Sequence, residues 1–226
     1  MEPDTVTRSF AAAIFDMDGL LFDTEAIGRW AWAETLAELG LSLTDDLYRS
    51  FLGRDMRARL ALLRERFGAD FPAEQAAARR LALGDERELR EGVPTKPGAV
   101  ALVRELHRLG VPVALATGTA RERALRRLRQ AEIAHCFGTV VTSEDVSRGK
   151  PAPDIYLETV RRLSLTPDQC LVFEDSAAGA QAALQAGCHT VLVPDLEALP
   201  EELLARGERL DSLEQALSRL PQWFPR

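Results

Sequence analysis

The chain has 226 residues, enough for one large domain or for a core domain that carries a smaller insert. A formal net charge of -7 argues against nucleic acid as the main partner, because that binding draws on basic surface. No apolar stretch approaches the roughly 18 residues of a membrane-spanning helix and the opening "MEPDTVTRSF" has no secretory pattern, so a cytoplasmic protein without a membrane partner is expected.

The first strand-like run is "AAAIF" (11–15), and it is followed at once by two acids, Asp16 and Asp18. About 95 residues separate it from the next such run, far more than one crossover helix needs, so an insert is expected. Its stretches "EAIGRWAWAETLAELG", "TDDLYRSFLG", "RDMRARLALLRERFG" and "PAEQAAARRLALGDERELREG" read as about four helices punctuated by glycines. The expected domains are therefore a sheet domain over 1–23 and 94–226 and a helical cap over 24–93. Trp30, Trp32, Leu36 and Leu39 are read as packing residues of the cap, with Trp32 the one to watch for a ligand.

Beyond the insert, Val100, Val103, Leu106 and Leu109 form an apolar stripe closed by Gly110, and "VPVALA" (111–116) ends in Thr117, Gly118 and Thr119. The arginine-rich "RERALRRLRQ" (121–130) reads as the solvated face of a helix. "GTVV" (138–141) leads to Ser143, Glu144, Asp145 and then Lys150; "CLVF" (170–173) leads to Glu174, Asp175 and Ser176; "HTVLV" (189–193) completes the set. Helical patterns around Ile155, Thr159 and Leu163 and over 177–187 separate these runs. In the tail "DSLEQALSRL" (211–220), Asp211 is expected to cap a helix. Cys136, Cys170 and Cys188 have no C-x-x-C pairing and read as buried thiols.

Continuous apolar runs alternating with helices imply an α/β fold, a doubly wound, Rossmann-like parallel sheet. In such sheets the functional crevice lies outside the carboxyl ends of the strands, which would gather Asp16, Asp18, the "TGT" turn, Ser143 to Asp145, Lys150, Glu174 and Asp175. Four converging carboxylates repel one another unless a cation offsets them, and an all-oxygen donor set suits Mg2+ working on a phosphate. Only Lys96 and Lys150 are lysines among 28 basic residues, so each marks a place where a compact ammonium is wanted. One carboxylate left free to attack phosphorus makes an aspartyl-phosphate chemically sensible.

With "DMDG", "ATGT", "GKPAPD" and "FEDS" in this order, the sequence resembles the haloacid dehalogenase superfamily of phosphotransferases over essentially its whole length. The resemblance implies Asp16 as nucleophile, Asp18 as general acid/base, Thr117 and Gly118 at the phosphate with Lys150, and Mg2+ held by Asp16, the Asp18 carbonyl and Asp175, with Glu174 acting through water. A helical insert between the first two motifs resembles the subfamily of β-phosphoglucomutase and sugar-phosphate phosphatases. In that subfamily the turn "LGRDM" (52–56) occupies the place of a substrate-specificity loop, which makes Gly53 and Arg54 candidate substrate contacts; Arg79 and Arg80 are weaker ones. The mutases carry a histidine where this chain has Gly28, and the departure favours a hydrolase. The expectation is a monomeric phosphoric monoester hydrolase acting on a small phosphorylated metabolite. A phosphosugar mutase and a phosphoacceptor signalling domain are the alternatives.

Overall fold

The computed structural model describes residues 9–51, 54, 56–195 and 198–225. The chain divides into two compact units, one made of Met1–Phe22 with Pro94–Arg226 and the other of Asp23–Val93.

In chain order the first unit opens with β1 (Ala12–Phe15). The second unit holds α1 (Thr24–Glu38), α2 (Asp45–Arg49), α3 (Met56–Phe67) and α4 (Ala73–Glu91). The first unit resumes with α5 (Ala99–Arg108), β2 (Val113–Ala116), α6 (Arg121–Gln130), β3 (Phe137–Val141), α7 (Asp154–Leu163) and β4 (Cys170–Glu174). It ends with α8 (Ala177–Ala186), β5 (His189–Leu192), α9 (Glu201–Leu204), β6 (Glu208–Arg209) and α10 (Leu213–Trp223).

All strands pair in parallel, in the order β3-β2-β1-β4-β5-β6. This is the doubly wound α/β sheet expected from the continuous apolar runs. Both faces are covered, which is why the strands need no polar alternation. Ala12, Ile14, Ala114, Ala116, Cys170 and Val172 pack with Ile155, Tyr156 and Val160 of α7 and Ala182 and Ala183 of α8. Their neighbours in sequence point the other way. Phe15 stacks on Phe173 with ring centroids 4.7 Å apart, and Phe173 meets Trp223 of α10 edge-on at 5.7 Å.

Two sequence expectations change here. β6 was not anticipated, because a two-residue Glu-Arg strand has no apolar run to announce it. Asp211 does not cap α10: Ser212 holds that position, while the Asp211 N–H donates to Gln215 Oε1 at 3.0 Å.

The second unit has its own core of Trp32, Leu36, Tyr48, Phe51, Leu63 and Phe71. Trp32 is 1% exposed and packs on Phe51 at 5.4 Å, so it belongs to that core. Leu39, expected to pack, is instead an exposed C-cap at the end of α1. Asp23 accepts a hydrogen bond from Ala26 N at 3.0 Å and caps the start of that helix. All three cysteines are free and buried. Among the described residues no helix is long and apolar enough to cross a membrane.

Candidate active site

The alternation that buries β1 and β4 also aims the residues at their carboxyl ends. Ile14 is in register with Val172 and Phe15 with Phe173, and the ladder continues with Asp16 N–H donating to Phe173 O at 3.1 Å. Asp16 and Glu174 thus extend the row of Ile14 and Val172 toward α7, whereas Met17 turns inward and is fully buried. The chain then folds back on itself, with Leu21 N–H and Phe22 N–H both donating to Met17 O. Gly19 adopts φ +85 inside that turn, and a Cβ there would overlap the Asp175 carboxylate, so only glycine serves.

Lys150 Nζ bonds Asp16 Oδ1 and, at 2.5 Å, Glu174 Oε1, and lies 5.0 Å above the Tyr156 ring. Tyr156 donates its hydroxyl to the same Glu174 oxygen at 2.7 Å. The other Glu174 oxygen accepts from Asp175 N, Ser176 N and Ser176 Oγ at 3.0 to 3.1 Å. Burial would raise the Glu174 carboxyl, but Lys150 and these donors hold it below its usual range. Burial would likewise lower Lys150, yet Asp16 and Glu174 keep it above its ordinary value. Burial, with Glu174 beside it, keeps the Tyr156 phenol protonated.

Asp16, Glu174 and Asp175 each offer a carboxylate oxygen, all within 4.8 Å of one another. Three carboxylates against one ammonium leave a formal charge of about -2. Burial, only partly offset by Lys150, pushes Asp16 up to about 7; burial and then the charges of Asp16 and Glu174 push Asp175 up to about 9. Asp175 Oδ1 is buried with no hydrogen-bond partner among the described residues. A hard divalent cation fits this donor set, to which Asp16 and Asp175 could each offer a carboxylate oxygen. The oxygens of Glu174 are already committed to five donors, Lys150 among them.

Asp18 stands apart from that cluster. Its Oδ2 accepts from Thr119 Oγ1 at 2.6 Å and, at a long 3.4 Å, from Thr117 Oγ1, and its Oδ1 accepts from Arg127 Nη1 at 2.5 Å. Arg127 is only 5% exposed, which corrects the reading of 121–130 as a wholly solvated face. The signal was present in the sequence: Ala124, Arg127 and Leu128 share the buried stripe of α6 at the i, i+3, i+4 spacing.

Thr117 is fully buried; its N–H donates to Val141 O and its hydroxyl accepts from Thr119 N at 3.1 Å. Gly118 is exposed, with nothing within 4 Å of where a Cβ would stand. The expected pocket residues Ser143, Glu144 and Asp145 do local work instead. They form a short 3-10 turn in which Asp145 accepts from Thr142 N at 2.8 Å and from Arg121 and Arg162, while Glu144 accepts from Arg121 N.

In the second unit, Gly53 lies outside the described residues and Arg54 is exposed, its carbonyl accepting from Arg59 Nε at 2.8 Å. Arg79 is paired with Glu38 through two hydrogen bonds of 2.6 and 2.8 Å. A side chain at Gly28 would begin 2.8 Å from Arg80 Nη2.

A family model described as haloacid dehalogenase-like hydrolase matches residues 10–187. A phosphorylated carbohydrates phosphatase of Thermotoga maritima is 34% identical over 180 residues, which cover 80% of this chain and 83% of that protein. A solved structure from Thermotoga maritima, named for β-phosphoglucomutase, superposes with a TM-score of 0.81 at 31% identity, covering 94% of this chain and 99% of that one. A haloacid dehalogenase family hydrolase of Deinococcus radiodurans, solved with bound phosphate and sodium, gives a TM-score of 0.77 at 30% identity and covers 96% and 99%.

Proposed function

The chain belongs to the haloacid dehalogenase-like hydrolase family, as a phosphoric monoester hydrolase, and from that premise we propose that it hydrolyses a small sugar phosphate or related metabolite through an aspartyl-phosphate on Asp16. The observation that carries this is the buried Asp16 carboxylate, held by Lys150 at the end of β1 and grouped with Asp175 and Glu174. Asp16 attacks phosphorus, and Asp18 gives a proton to the departing ester oxygen. Asp18 then takes a proton from the water that attacks the acyl phosphate. Lys150 uses its remaining N–H, and Thr117 its hydroxyl, to stabilise the phosphoryl oxygens where charge is greatest. Mg2+, held by Asp16, Asp175 and the Asp18 carbonyl, would supply charge neutralisation for the phosphoryl group.

The proposed substrate class follows the carbohydrate phosphatase relative; a cytoplasmic monomer without nucleic-acid or membrane partners is part of the proposal. The mutase reading draws on the likeness to the structure named for β-phosphoglucomutase. Residue 28 is glycine here, where the mutases that the sequence resembles carry a histidine, and this favours hydrolysis. Phosphate release from a panel of sugar and polyol phosphates with Mg2+ tests the proposal. Isomerisation of a hexose 1-phosphate, with no release from any panel member, would replace it with the mutase.

A further inference from the structure

We infer that Arg127 is the positioning residue of Asp18, a buried guanidinium that fixes the acid/base carboxylate from within the sheet unit; the inference rests on the role proposed for Asp18. A guanidinium taken out of water is costly unless paired, so the burial of Arg127 needs a partner. Asp18 is such a partner, at 2.5 Å. Each carboxylate oxygen has its own donor, Arg127 on Oδ1 and Thr119 on Oδ2, which fixes the plane of the group as well as its place. Thr119 is itself oriented by its N–H bond to Thr117 Oγ1.

Both donors come from one continuous segment, the turn after β2 and the helix α6, and both lie in the same compact unit as Asp18. The carboxylate is therefore held by donors of its own unit. A base in place when the phosphoenzyme forms suits hydrolysis, which needs water activated at once. Arg127 is assigned no contact with substrate and acts through Asp18.

The test measures kcat, KM and thermal melting for Arg127→Met and Arg127→Lys, in the wild-type and Asp18→Asn backgrounds, with one sugar phosphate from the active panel. Arg127→Met is expected to lower kcat by about 100-fold, the scale of a misplaced catalytic group, with KM within about twofold. Arg127→Lys should be intermediate, millimolar guanidinium should restore part of the Arg127→Met loss, and in the Asp18→Asn background Arg127→Met should cost nothing further. A folded Arg127→Met enzyme with wild-type kcat overturns the inference, as does an equal loss in both backgrounds. Should Arg127→Met fail to fold, Thr119→Val removes the other donor from a partly exposed position and must lower kcat alone; an unchanged kcat is then the refuting result. If Asp18→Asn itself leaves turnover intact, the proposed mechanism fails, and the inference with it.

Discussion

Gly179→Ala in α8 sets two effects of known size against each other. Alanine is preferred over glycine inside a helix by about 1 kcal/mol, so propensity alone predicts a more stable protein. A Cβ at 179, however, would meet three atoms of the Glu174 carboxylate, all closer than the 3.0 Å below which real Cβ atoms are not found. To reach the ~3.5 Å of ordinary contact the carboxylate would have to retreat on the order of 1 Å or more. That exceeds the slack in its bonds to Lys150 at 2.5 Å and Tyr156 at 2.7 Å. Breaking a buried ion pair costs about 3–5 kcal/mol, so the net expectation is about 2–4 kcal/mol of destabilisation. For a chain of this size that lowers Tm by about 5–15 °C. Urea titration gives the free energy and steady-state kinetics the accompanying fall in kcat as Lys150 loses an anchor. Gly84→Ala in α4 is the matched control, since its nearest neighbours would be Ala31 Cβ and Ile27 Cγ2 at 3.8 Å, and it should gain up to about 1 kcal/mol. If Gly179→Ala is as stable as the parent, Glu174 is not held as described and the reasoning fails.

Chelation with EDTA should abolish phosphate release, and Mg2+ should restore it where Ca2+, which prefers more ligands at longer distances, does not; full turnover after exhaustive chelation would contradict the metal assignment. Lys150→Met leaves Asp16 and Glu174 buried without their ammonium, so it should lose about 3–5 kcal/mol of stability by urea titration and at least about 100-fold in kcat. Asp145 is a pH probe away from the site. Burial would raise it, but Arg162, the Thr142 N–H and hydroxyl, and Arg121 outweigh that and hold its carboxyl well below the usual range. A depressed folded value gives stability that is present above the unfolded pKa of about 3.9 and lost as pH falls below it. Asp145→Asn should therefore flatten the acid limb of a stability profile below about pH 4 while costing stability at pH 7; an unchanged acid limb would show that Asp145 contributes nothing there.

Much of the fold was legible because a parallel sheet covered on both faces writes itself as continuous apolar runs: β1, β2 and β5 lie within those runs, and β3 and β4 exceed theirs by one residue each. The acids at the carboxyl ends of β1 and β4 were legible for the same reason: they stand where the apolar run stops, although Asp16, Glu174 and Asp175 are themselves buried. The short polar β6 carries no such mark. Tyr156 was missed because an aromatic on the apolar stripe of α7 looks like core, and its hydroxyl finds Glu174 only once α7 is laid on the sheet. Arg127 was hidden by composition, one arginine among five in ten residues, and only the helical phase shared with Ala124 and Leu128 separates it from its solvated neighbours. Ser143 to Asp145 were over-read, since polar residues after a strand also serve as a local cap.

The stacked rings of Phe15 and Phe173 have an effect on the opposite side of the sheet. They occupy registered positions, and the next residue on each strand is one of the two carboxylates that share Lys150. Two aromatic plates pressed together on one face therefore act as a gauge for the gap between two acids on the other. A substitution that thinned either plate would retune that gap without touching a charged atom, so in β1 and β4 packing and chemistry are a single constraint.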